Sequence, residues 1–250
     1  MFNEDDINGP AGLAFLWTGF GICFTVASVF ILLAVKIGTS RTREICILYG
    51  AGCLIQSLTY FALADGHGIS KNFYGRHIAW LRYASWAIFV PFLIYRINFL
   101  DIATKHKKLV LLITSEAVII FSFLSTQADT RRTTWLFYSA SCFLSVVTCY
   151  YTLFEIKPTI PQSHRGVHTL MSIFLVATWA VFLLGQGMTD SGHVIPEGYT
   201  NLWFLVVDIV TKGVFGFITF AVMRSVDAKF PRVAASAPAA TKYSKADKAN

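Results

Sequence analysis

Asp208 and Lys212 stand four residues apart in an apolar run from Asn201 to Met223. On a helix that spacing puts them one turn apart on the same face. The run is long enough to cross a bilayer once, since a crossing takes about 20 residues. Charges inside such a span are costly and turn toward the protein interior. A lysine so placed is either half of an ion pair or a desolvated amine suited to Schiff-base chemistry. Spacing alone leaves both readings open.

Other polar residues fall inside apolar runs. Arg82, Ser85, Phe89 and Arg96 recur at helical spacing on one face. Arg82 and Arg96 are about 21 Å apart along a helix axis, so they belong to opposite halves of the membrane. Gln56 lies mid-run, with Tyr60 one turn later. A buried amide needs partners, so Gln56 serves either as interhelical glue or as the lining of a polar path. Glu116 is also mid-run, where a carboxyl is expected to be protonated or hydrogen-bonded. Pro91 is expected to kink its helix. The six histidines and five cysteines show no metal spacing. The cysteines read as small core residues. No metal and no enzyme activity are expected.

The elements that must position these residues follow from composition. Of 250 residues, 55% are hydrophobic and only 14% charged, against about 25% charged in a soluble domain. The apolar residues come in long runs, which predicts an all-α membrane protein with seven transmembrane helices. The spans are roughly 13–36, 43–64, 77–100, 109–126, 134–156, 167–187 and 199–223. The domain plan is a 1–10 extracellular segment, an 11–225 helical bundle and a 226–250 disordered basic tail. The outer loop with Gly66, Gly68 and Gly75 reads as mobile.

The net charge of +7 is unevenly spread. Fourteen Lys and Arg residues fall on one side, among them Lys105, Lys107 and Lys108, against four on the other: Lys71, Arg76, Arg131 and Arg132. The positive-inside rule then puts the N-terminus outside and the C-terminus in the cytoplasm. The basic excess is a topology signal. It excludes a nucleic-acid reading and suits a lipid bilayer as partner.

Two motifs together resemble the microbial (type 1) rhodopsins, over residues 10–225. They are Arg82-Tyr83-Ala84-Ser85-Trp86 with Pro91, and Asp208-x-x-x-Lys212 with Gly213 and Phe215-Gly216. The resemblance implies a central retinal pocket, with Lys212 holding all-trans retinal as a Schiff base. It implies that Trp86, Tyr83, Pro91, Trp179 and Phe182 line the pocket. Arg82 and Asp208 form a polar cluster beside the amine, and Tyr60 contacts that aspartate. A homo-oligomer is also in keeping with the family.

The departures bear on function. Where proton pumps of the family carry a counterion aspartate, this chain has Ser85; where they carry a threonine, Phe89; where they carry a proton donor, Arg96. Serine cannot store the proton and arginine cannot deliver one. Of the outer carboxylate pair, Asp190 matches one position and Thr200 replaces the other; Leu183 stands where a proline is usual. The resemblance therefore implies a member that does not pump protons. Counting the protonated amine, Arg82 and Asp208 leaves one net positive charge, which calls for an anion such as chloride. Arg96 adds positive charge to the inner half, as an anion path requires. The expected function is light-activated anion conduction, as channel or pump. The alternative is a sensory rhodopsin that passes its signal to a partner at the cytoplasmic face, which the bulk of Phe89 and Val90 favours. A non-photochemical relative is the third reading, and Lys212 argues against it.

Overall fold

A computed structural model describes residues 9–37, 41–97, 105–159, 162 and 165–229. Helices α1 (Pro10–Lys36) and α2 (Arg41–Ala64) form the first two segments. A proline at the start of α1 costs no hydrogen bond, because the first-turn N–H groups are unpaired anyway. After α2, Gly66, Gly68 and Gly75 adopt φ of 82°, 75° and 77°, a left-handed geometry that suits glycine. They shape a small antiparallel hairpin of β1 (Ser70–Lys71) and β2 (His77–Ile78). The loop read as mobile thus carries β structure, and the third helix, α3 (Trp80–Ile97), starts three residues later than expected.

Helix α4 (Lys105–Gln127) begins four residues earlier than expected. Helix α5 (Arg131–Tyr150) is capped by Thr130, whose Oγ1 accepts from the Thr133 N–H at 3.2 Å. It continues into a π turn, Tyr151–Ile156. Helix α6 (Arg165–Met188) follows. The seventh segment is α7 (Glu197–Asp208), a π turn (Ile209–Val214) and α8 (Phe215–Lys229). The helix therefore runs past residue 225, and residues 1–8 and 230–250, where the terminal segments were expected, lie outside the described residues.

Six of these segments are long and apolar enough to cross a membrane; α3, which carries Arg82 and Arg96, is not among them. Burial makes α3 the centre of the bundle nonetheless: Arg82 is 0% exposed and Trp86 5%. The outward stripe of α1, with Phe24, Leu32 and Val35, is apolar and exposed, as lipid contact requires. The protein is a multi-pass, seven-helix membrane bundle.

Small residues let the helices close in. A Cβ on Gly19 would stand 2.9 Å from Tyr60, and one on Gly50 3.1 Å from Ile31, so α1 meets α2 at van der Waals distance. The last segment returns to the first two. Asn201 Nδ2 donates to Gly12 O at 3.3 Å, and Asp227 Oδ2 accepts from Thr42 N–H at 2.9 Å and Thr42 Oγ1 at 2.6 Å. The two ends of the bundle are the hairpin end, at β1–β2, and the tail end, at Asp227.

Candidate functional site

Asp208 and Lys212 meet at the centre. Asp208 is 0% exposed and Lys212 3%. Lys212 Nζ pairs with Asp208 Oδ1. The helix widens there: the Phe215 N–H bonds Val210 O, five residues back. Such π turns recur at functional sites. Asp208 is held by two further donors, Tyr60 OH on Oδ2 at 2.7 Å and Trp86 Nε1 on Oδ1 at 3.0 Å. Three donors fix the carboxyl group in place in a dry interior.

Toward the hairpin end lies a polar layer. Ser85 Oγ donates to Gln56 Oε1 at 3.0 Å or to Arg82 O at 2.7 Å. Arg82 Nη2 donates to Asn201 Oδ1 at 2.8 Å, and its guanidinium lies 4.7 Å from the Phe204 ring centroid. Gln56 Nε2 and Arg82 Nε and Nη1 are buried and have no hydrogen-bond acceptor among the described residues. Buried donors without partners are costly, so this layer is built to receive an acceptor.

A second layer lies further out. Tyr83 OH donates to Asp190 Oδ2 at 2.8 Å. Arg76 Nη2 donates to Ile195 O at 2.7 Å and Thr200 Oγ1 at 3.1 Å. Burial pushes the Asp190 carboxyl up from its ordinary value, against the lowering pull of Arg82, the Tyr83 hydrogen bond and Arg76. Burial and Arg76 push His193 down. Asp190 therefore belongs in the charge count. Arg76 belongs in it too: an ionised Asp190 offsets Arg76 and leaves the net positive charge expected from sequence, and a neutral Asp190 raises it by one.

On its other side, Lys212 faces an apolar cavity. Trp86, Phe89, Trp179 and Phe182 give it an aromatic wall, and Thr178 and Thr211 are its hydroxyls. Of the five residues expected there, Trp86, Trp179 and Phe182 line it. Tyr83 does not: its ring packs behind Trp86, centroids 5.4 Å apart, with its hydroxyl turned to Asp190. Pro91 does not line it either, and α3 continues across the proline. Phe89, expected on an ion path, is instead a pocket wall, its ring centroid 5.3 Å from Lys212 Nζ.

Glu116 is half-buried on α4 and does not line the cavity, and its Oε1 has no hydrogen-bond partner among the described residues. Position 96 lies in α3, but the Arg96 side chain is outside the described residues. Leu175, Val207 and Thr211 were missed as lining residues. Their signal was present: Leu175 stands one turn before Trp179, and Val207 and Thr211 are four apart, each one residue before Asp208 and Lys212. Asn201 as the partner of Arg82 had no signal, because nothing local pairs the start of α7 with α3.

This geometry defines a class: a seven-helix membrane bundle whose last segment presents a buried amine to an aromatic pocket. The chain belongs to the bacteriorhodopsin-like protein family, whose model matches residues 12–226. The family binds retinal as its chromophore. Opsin-1 of Neurospora crassa is 22% identical over 230 residues, 84% of this chain and 75% of that protein. The proton-pumping rhodopsin AR2 from the marine alga Acetabularia acetabulum has a TM-score of 0.81 at 17% identity, covering 89% of this chain and 99% of that one. Bromide-bound halorhodopsin from Halobacterium salinarum has a TM-score of 0.78 at 17% identity, covering 86% and 94%. At such identities these neighbours show the shared fold.

Proposed function

We propose that the protein is a light-activated retinal photoreceptor in which Lys212 carries all-trans retinal as a Schiff base and an anion such as chloride completes the counterion. The amine supports this reading most directly. It is 3% exposed, is paired with one carboxylate and opens on an aromatic-lined cavity. The apolar, aromatic lining suits a flat polyene, and the amine suits its aldehyde end. Retinal, when bound, supplies light absorption and isomerisation. The chain's residues supply the rest. Asp208 balances the charge on Lys212, Trp86 and Tyr60 hold Asp208 in place, and the aromatic wall excludes water.

The anion belongs in the layer of Gln56, Arg82 and Ser85, where three buried donor nitrogens lack partners. Proton-pump and halide-bound relatives share the fold, so the ion rests on these side chains rather than on likeness. We place the N-terminus outside and the C-terminus in the cytoplasm, with the bundle extended to the end of α8 at Lys229.

The test is chloride titration of the purified pigment, followed by voltage-clamp photocurrents. A halide-dependent visible band and a reversal potential that follows the chloride gradient are expected from a channel. Current at zero driving force assigns a pump. Absence of any photocurrent, with a slow photocycle, assigns the second reading, a sensor with a cytoplasmic partner; the bulk of Phe89 in α3 favours it. A homo-oligomer is compatible with each.

A further inference from the structure

Three basic residues of the hairpin and α3 meet one face of α7. His77 Nδ1 lies 2.9 Å from Glu197 Oε2, Arg76 Nη2 donates to Thr200 Oγ1 at 3.1 Å, and Arg82 Nη2 donates to Asn201 Oδ1 at 2.8 Å. Residues 197, 200 and 201 are three and four apart, so they share that face. Their acceptors are distributed against what stability alone favours. The carboxylate goes to His77, whose side chain is 28% exposed. The two buried guanidiniums receive only a carbonyl, a hydroxyl and an amide oxygen. Among the described residues neither guanidinium is in contact with a carboxylate: Asp208 is taken by Lys212, Tyr60 and Trp86, and Asp190 by Tyr83. A buried charge without an opposite charge is costly, and at Arg82 that cost is left standing.

The neutrality of position 201 is fixed by a neighbour. Asn201 is 0% exposed, and its Nδ2 donates to Gly12 O of α1 at 3.3 Å. A carbonyl can only accept and a guanidinium can only donate, so the side chain between Gly12 and Arg82 needs one donor and one acceptor. An amide has both. A carboxylate would set an oxygen against the Gly12 carbonyl.

We propose that Asn201 is a specificity-determining residue: it holds the Arg82 guanidinium through Nη2 without neutralising it, so that its charge, with Nε and Nη1, is left for a small exchangeable anion such as a halide. This rests on the reading that an anion completes the counterion. The Phe204 ring, 4.7 Å from the guanidinium carbon, covers a face of the group without supplying negative charge. The anion therefore approaches in the guanidinium plane, where the two N–H groups without acceptors point. An acidic residue at position 201 completes the pair and makes the anion redundant.

Two variants separate charge from structure. Asn201→Asp gives Arg82 a carboxylate; Asn201→Ala removes the amide and adds no charge. In chloride titrations of the visible band, Asn201→Asp is expected to bind halide about tenfold or more weakly than wild type, because an opposite charge this close to a charged group is worth about one pK unit or more. Asn201→Ala is expected to keep the halide dependence. Wild-type affinity in Asn201→Asp, or equal loss in both variants, overturns the proposal.

A wild-type measurement covers the case in which neither variant forms pigment. In crystals of the wild-type pigment grown with bromide, the anomalous signal is expected in the plane of the Arg82 guanidinium, beside Nε or Nη1, with the bond from Nη2 to Asn201 intact. Bromide seated on Nη2 in place of Asn201 overturns the proposal. A wild-type band that ignores halide, with no bromide near Arg82, is a different result: it rejects the anion reading itself, and the role of Asn201 falls with it.

Discussion

Trp86 donates its indole N–H to Asp208 Oδ1 at 3.0 Å, the same oxygen that Lys212 faces. One side chain is therefore both a wall of the cavity and a holder of the counterion. Trp86→Phe keeps the wall and removes the donor. A hydrogen bond to a buried charge contributes about 1.5–3 kcal/mol. The variant is expected to form pigment with retinal and to melt several degrees below wild type. An unchanged melting temperature argues that the bond contributes nothing.

Lys212→Ala is expected to abolish covalent retinal attachment, read as loss of the mass increment at residue 212 after borohydride reduction. The same change leaves Asp208 buried and unpaired, at a cost of about 3–5 kcal/mol. Lys212→Ala with Asp208→Asn is therefore expected to be more stable than Lys212→Ala alone. A retained visible band in the single variant sinks the attachment site.

Ser85→Asp introduces a carboxylate in the layer where Gln56 Nε2 and two Arg82 nitrogens lack partners. It supplies the charge that an anion otherwise brings. The halide dependence of the visible spectrum is expected to disappear. A wild-type-like chloride titration in this variant shows that the anion sits elsewhere.

At the proposed anion site, Asp190 is expected to set the pH dependence. Burial raises its carboxyl above the ordinary value, so it holds its proton to higher pH than an exposed aspartate. When ionised, it offsets positive charge from Arg82 and Arg76; when neutral, it does not. Halide binding is therefore expected to strengthen as pH falls through the Asp190 titration and to weaken above it. Asp190→Asn is expected to bind halide in the strong form at all pH values tested. The result against this account is an Asp190→Asn protein with the wild-type pH dependence.

Asp227 ties the last turn of α8 to the first turn of α2 through the Thr42 N–H and hydroxyl. Asp227→Ala leaves both donors without that acceptor, at about 1–3 kcal/mol. Unfolding in detergent is the measurement, and no loss of stability shows that the tie is slack.

Much of this was legible in the chain. Long apolar runs announce the helices, because a bilayer demands about 20 residues whatever the partner. Asp208 and Lys212 stand out because charge in such a run needs a reason. The Tyr60–Asp208 bond came from family resemblance and is present at 2.7 Å. What escaped depends on contacts between helices. Nothing near residue 83 says that its hydroxyl reaches Asp190 on another segment, so Tyr83 was misplaced in the pocket. Phe89 reads as a bulky oddity until Gly52, on a different helix, is seen to leave room for it. The hairpin escaped because glycines that permit a left-handed turn look the same in a sequence as glycines that merely loosen a loop.

The seventh segment touches the first two at both ends, through Asn201 with Gly12 and Asp227 with Thr42. The barrel of staves is thus hooped at top and bottom, and the hoop crosses the stave that bears the amine. Any tilt of that stave during a light cycle must be felt at both rims together, so a disturbance born at the centre reaches the two membrane faces as one event.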